Sequence, residues 1–161
     1  MEFNNEDSLK KIFLEACRIR NIENVRACLQ LKVDYNTSNP LQNMPVFDGI
    51  ALSVSNYTGL HYAAYNKDLP LMKLLLSLPG IDVNREDTLG MTPLAVLLKS
   101  GATNTYWKQQ RLKIIEEFLK NPNLVLDTKH VPISFTVLEC GDPDVMKLFS
   151  KDKVKKSMHL L

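Results

Sequence analysis

With 161 residues, 45% hydrophobic and 24% charged, the chain is long enough to fold around one apolar interior and too apolar for a disordered segment. Its 20 basic and 18 acidic residues leave a formal charge of +2, too weak a field for general nucleic-acid binding, where many phosphates must be neutralised. Cys17, Cys28 and Cys140 make no CxxC pair and no metal spacing, so free thiols in a reducing compartment are expected.

In chain order, the N-terminus MEFNNEDSLKK is acidic and polar and carries no apolar signal segment. No run reaches the length of a membrane span, so no direct membrane insertion is expected and the setting reads as cytoplasmic or nuclear. The stretch EACRIRNIENVRACLQLKVDYN, 15–36, then introduces a pattern that returns as TGLHYAAYNKDLPLMKLLLSLPGIDVN at 58–84. It returns again as TPLAVLLKSG from Thr92, resuming as LKIIEEFLKNPNLVLD to Asp127, and in weaker form as ISFTVLECGDPDVMKLF at 133–149. Each copy reads as a short apolar helix, a tight polar turn, a second apolar helix and a loop. Leu71, Leu74 and Leu75 share one helical face by their spacing of three and four. Such a hairpin cannot bury its own apolar face, so neighbours have to stack. The spacing predicts helix pairs over 7–31, 59–77, 92–120 and 133–150.

The second copy resembles the ankyrin repeat, and TPLA at 92–95 carries that family's helix-opening tetrapeptide. The resemblance implies an all-α solenoid of about four helix-turn-helix repeats with short hairpin loops, in which Thr58 and Thr92 cap first helices and Pro93 sits in a first turn. It implies that His61 bonds back across the repeat. Against the family's ~33-residue period, Asn36 to Asn84 is 48 positions and Asn84 to Asp127 is 43. The chain therefore reads as a single domain over 1–161, with repeats at about 8–39, 56–86, 87–129 and 130–150, and a C-terminal tail at 151–161. Inserted loops are expected at 38–57 and 102–110. Pro132 stands where the last repeat's first helix opens, and the polar residues of that copy suit a cap facing solvent.

No GxGxxG, GxxxxGK[ST], HExxH or GxSxG occurs, and His61, His130 and His159 sit at no ligand spacing. The expectation is a non-enzyme with no cofactor and no metal, monomeric, and binding a protein partner. By the resemblance the binding face is concave, made of hairpin tips and first helices. Position-matching puts Tyr57, Tyr65, Asn66, Thr88, Leu89, Met91 and Lys99 there, with Tyr57, Tyr65, Leu89 and Met91 partly exposed. The apolar insertion with Phe47 and Ile50 either folds back over the array or protrudes as a finger. Tyr106 and Trp107 either lengthen the following helix inward or anchor a partner. Leu76 with Asp82-Val83-Asn84 eight positions on looks like the ankyrin pattern that asparaginyl hydroxylases modify, with Asn84 the target; the other reading is that Asn84 ties down its loop. Two further roles stay open: the soluble N-terminal arm of a larger channel, enzyme or regulator, and an inhibitor or mimic that masks a transcription factor or kinase.

Overall fold

The computed structural model describes residues 5–39, 42–47, 50–54, 56–126 and 130–150, the two strands by their backbone and register. Short polar residues divide most of the chain into helices by accepting a hydrogen bond from the helix's first turn. Helix α1 spans Asn5–Arg18, and α2 (Ile22–Gln30) starts at Asn21, which accepts from the Asn24 N–H. Thr58 opens α3 (Gly59–Asn66) by accepting from His61, and Asp68 opens α4 (Leu69–Leu76) by accepting from Leu71. Thr92 does the same for α5 (Pro93–Lys99) through Ala95, and Asn104 for α6 (Thr105–Leu119) through Trp107. The last pair is α7 (Ile133–Cys140) and α8 (Pro143–Phe149); Pro132 offers α7 no side-chain cap, while Asp142 caps α8.

These helices pair and stack as the repetition requires. The first helices form a row, α1 on α3, α3 on α5 and α5 on α7, while α4 packs on α6 and α6 on α8 behind them. The architecture is an all-α solenoid of four helix pairs among the described residues. Its core runs continuously from Phe13 and Cys17, through Leu60, Ala63, Leu71, Met72 and Leu75, to Leu94, Ile114, Phe118 and Phe149. On α4 the buried face is Leu71, Met72 and Leu75, and Leu74 is only half-buried, one step off the expected stripe. At the last pair, Phe135 and Leu138 are exposed, so the end of the row is less polar than a solvent-facing cap was expected to be.

Consecutive loops are tied by a repeated bond. The Asn36 side chain donates to Gly80 O (3.0 Å) and accepts from Asp82 N–H (2.8 Å). Asn84, its counterpart 48 residues on, donates to Asn123 O (2.7 Å) and accepts from Val125 N–H (2.8 Å). Both ends of each carboxamide are used, and each spans one repeat.

The two insertions differ from a loop in opposite ways. The first holds a two-stranded antiparallel hairpin, β1 (Gln42–Phe47) and β2 (Ile50–Val54), in the register Gln42↔Val54, Asn43↔Ser53, Met44↔Leu52 and Phe47↔Ile50. The register shifts between Met44 and Phe47, the interval holding Pro45, which lacks the N–H a regular ladder needs. Its stem is closed by a Ser38↔Thr58 bridge and by Asn39 N–H donating to Tyr57 O at 3.0 Å. The second insertion is mostly helix: the break ends at Asn104, and 105–110 form the first turns of α6, which lengthens that helix as one reading expected, although Tyr106 faces outward. Asn104 supplies the cap from which this extension starts. The tail at 151–161 lies outside the described residues.

Because α3 and α5 have stacked neighbours on both sides, their amides should exchange slowest, while α1, α2, α7 and α8 should exchange earlier. Hydrogen exchange followed by mass spectrometry checks this; uniform protection from 8 to 150 would contradict it. Leu75→Ala, which empties a fully buried position, should destabilise the fold by about 2–5 kcal/mol in urea melts. The half-buried Leu74→Ala should cost clearly less.

Candidate partner-binding groove

One buried imidazole sets the geometry of the groove. His61 lies on α3, wholly enclosed, with its Nε2 2.9 Å from Met91 O. A carbonyl only accepts, so Nε2 carries the proton and donates. Nδ1 is then free to accept from the Thr58 N–H at 3.1 Å, with Thr58 Oγ1 at 3.0 Å. Thr58 and His61 thus close a reciprocal cap on α3, in the manner of a capping box. The same ring reaches 30 residues forward to hold the next repeat's turn. Burial lowers the His61 pKa to about 4, with the bond to Met91 O opposing, so the ring is neutral at pH 7.

The turn that His61 grips is built on Asp87. Its Oδ1 accepts from the Leu89 N–H (2.8 Å) and the Met91 N–H (2.9 Å), and Asp87 N–H donates to Met91 O at 3.0 Å. Burial raises the Asp87 carboxyl's pKa, opposed by those two N–H donors. Gly90 takes φ +78°, and a Cβ there would meet the His130 side chain at 2.3 Å, so no other residue fits this corner. His130 itself is exposed and sits 3.0 Å from Glu86. The turn leaves Thr88 and Leu89 outside, with Leu89 41% exposed.

Two hollows lie along this side. A cavity of about 740 Å³ is lined by Leu89, Met91, Lys99, Lys108, Arg111 and the loop 141–143, among others. A smaller one, of about 350 Å³, is lined by Arg20, Tyr65, Asn66, Lys67, Gly101, Thr103 and Trp107. The expected binding residues therefore divide into two sets, with Leu89, Met91 and Lys99 at one hollow and Tyr65, Asn66 and Trp107 at the other. Asn66 also donates to Arg18 O at 3.0 Å, which fixes the α3 end against the preceding repeat. Lys99 pairs with Glu139 at 3.6 Å. Tyr106 is 58% exposed and meets Trp107 edge-on with centroids 5.0 Å apart, while the Arg20 guanidinium sits 5.8 Å over the half-buried indole.

Two of the expected positions are corrected. Tyr57 is not exposed at all: its ring stacks on His61 at 4.8 Å and meets Tyr62 edge-on at 5.2 Å, which places it in the core. Met91 is 5% exposed, because the His61 bond draws its backbone inward and its side chain follows. The side chains of Phe47 and Ile50 lie outside the described residues. Position-matching failed at Tyr57 because it precedes the cap Thr58 directly, where an apolar residue packs under the helix entry. Lys67 and Arg111 escaped the sequence reading: each looks like an ordinary solvated cation until the turns are folded together and bury it. Burial pushes the Cys17 thiol up strongly and the Cys28 thiol up as well, so both remain protonated.

Residues 55–88 match the family model of the ankyrin repeat. With the helix-pair array around it, the fold is that of an ankyrin-repeat solenoid. Two curated relatives, the SMC5-SMC6 complex localization factor protein 1 of Homo sapiens and that of Bos taurus, are 36% and 35% identical over 98 residues. The match covers 56% of this chain and 9% of the length of either relative. No helix among the described residues is long and apolar enough to cross a membrane.

The neutral His61 gives the array a definite pH response. Its folded pKa lies below the unfolded value of about 6.5, so the unfolded chain takes up the proton first as pH falls. The stability that His61 contributes is complete above about 6.5 and declines as pH drops toward about 4, by at most ~1.4 kcal/mol per unit. Urea midpoints at pH 7.5, 5.5 and 4.5 measure this, and the decline should be smaller in His61→Gln, which is less stable throughout.

Proposed function

We propose that the chain binds a partner protein in the groove between the 87–91 turn and the α3–α4 and α5–α6 connections. The carrying observation is the half-exposed set Tyr65, Leu89 and Trp107 around two adjoining hollows, on elements fixed by His61, Asp87 and the Asn104 cap. Aromatic and aliphatic side chains that are ordered yet accessible are the usual anchors of an interface. The likeness to a complex localization factor supports the same general role here, that of docking a protein assembly, in the nucleus or the cytoplasm. The chain acts as a monomeric binding module with no catalytic step of its own.

A second reading, the ankyrin arm of a longer protein, is supported by relatives in which the matched stretch is 9% of the length. It shares the groove and differs only in what the groove serves. Asn84 has both ends of its carboxamide engaged, which favours its part in tying loops together over a role as hydroxylation target.

The test is capture from nuclear and cytosolic extracts on the immobilised chain, identification of what is retained, and titration of that protein against variants. Tyr65→Ala and Leu89→Ala should each weaken association by about 1–2 kcal/mol while melting close to the unmodified chain. Tyr57→Ala, at a fully buried ring, should instead destabilise the fold by about 3–5 kcal/mol. If Tyr65→Ala binds normally while replacing 40–55 by a short turn abolishes capture, the partner sits on the hairpin finger and the groove is the wrong face.

A further inference from the structure

The two hollows adjoin at Gly101, which lines both and has open space where a Cβ would stand. Around that junction the charge is lopsided, although the chain as a whole is nearly neutral. Arg20, Lys67, Lys99, Lys108 and Arg111 line the hollows against only Glu139 and Asp142. Ion pairs use up part of the excess: Lys99 with Glu139 at 3.6 Å, Arg111 with Asp142 at 2.9 Å, and Arg20 with Asp68 at 3.6 Å. Lys67 and Lys108 have no carboxylate within pairing distance among the described residues.

Lys67 is the unusual one. It sits in the left-handed turn between α3 and α4 (φ 52°), and only 8% of it is exposed. Its ammonium, with three donors to place, bonds to Ser100 Oγ at 3.2 Å, and that hydroxyl donates onward to Leu97 O at 3.0 Å. Burial first, and the Arg111 guanidinium second, bring its pKa down to about 8, as befits a cation held without a counter-charge. The second orphan is Arg111, 5% exposed: one nitrogen bonds Asp142, and its buried Nε has no partner among the described residues. A mostly buried ammonium whose bonded partner is a neutral hydroxyl, beside a mostly buried guanidinium, is costly unless a counter-charge arrives.

We propose that the junction at Gly101 is a carboxylate subsite, in which Lys67 and Lys108 receive an acidic side chain from the partner's peptide segment, the Arg111 guanidinium behind them adds positive charge, and Tyr65 and Trp107 flank its backbone. This rests on the groove reading above and names the chemistry of its occupant. A peptide carboxylate suits the place because the charged junction opens between two hollows whose other walls are aromatic and aliphatic, matching an acidic residue set among apolar ones.

Trp107, the chain's single tryptophan, lines the smaller hollow and reports on occupancy by its fluorescence. The probes are an acetylated, amidated hexaglutamate peptide, the matching hexaglutamine peptide and inorganic phosphate, each titrated into the intact chain at low salt. The expected result is a saturable change with hexaglutamate, at least tenfold weaker binding of hexaglutamine, and phosphate weaker than hexaglutamate. Lys67→Gln should lose at least tenfold in hexaglutamate affinity, and the exposed Lys108→Gln, which leaves packing untouched, should lose severalfold. Lys73→Gln, at an exposed position of α4 that lines neither hollow, should bind as the unmodified chain does. Equal binding of the two peptides, phosphate binding as tight as hexaglutamate, or full affinity in both Lys67→Gln and Lys108→Gln overturns the subsite. In any of those outcomes a loss of partner capture by Tyr65→Ala would leave the groove reading standing, and normal capture by that variant would remove the groove reading independently.

Discussion

A single neutral imidazole, sealed from water and bonded at both ring nitrogens, is the constraint on which the rest of the array depends. His61 closes the cap of its own helix through Thr58 and clamps the next repeat's turn through Met91 O. Either bond alone would leave a ring nitrogen unsatisfied in an apolar interior, which costs more than the bond contributes. The cap and the clamp therefore hold together or fail together. Tyr57 stacks on the ring and shields it, so the residue just before the cap serves the core and not the surface.

The loops use the same logic with another side chain. Asn36 and Asn84 each spend a donor and an acceptor on the loop one repeat ahead. A primary amide suits this, because it presents both polarities side by side to a backbone segment that offers a carbonyl and an N–H. The array is thus stitched along two lines, by imidazole at the helix entry and by carboxamide at the loop. Between these lines the apolar faces stack without having to set the register alone. The groove inherits its shape from the stitched elements, which is why its walls are firm although they are made largely of turns.

Much of this was legible in the sequence. Thr58, Thr92 and Pro93 announce helix starts through local chemistry, and His61 declared itself through its place in the repeat. Local signals carry the fold because the repeating unit is local. The groove was harder to read. Tyr57 and Met91 occupy positions that look exposed by spacing, and only the His61 clamp draws them in. The hairpin was read as loop because its register shifts around Pro45, which blurs the alternation that marks a strand. The charged junction was invisible for a different reason. Lys67 meets Ser100 across 33 residues and Arg111 meets Asp142 across 31, so neither relation has a trace in any short window.

The closed stem at Ser38 and Thr58 has an evolutionary consequence. Chain leaves the array at Asn39 and returns to it at Asn56 through paired neighbours, so the two ends of the inserted segment are held side by side whatever its length. The entropy of closing such a detour rises only with the logarithm of its length, about 0.6 kcal/mol for each doubling. A change in the number of residues between Asn39 and Asn56 therefore adds only a small closure cost, provided the stem keeps its bridge. The stem behaves there as a socket, and the length of the segment it carries is a feature open to evolutionary drift.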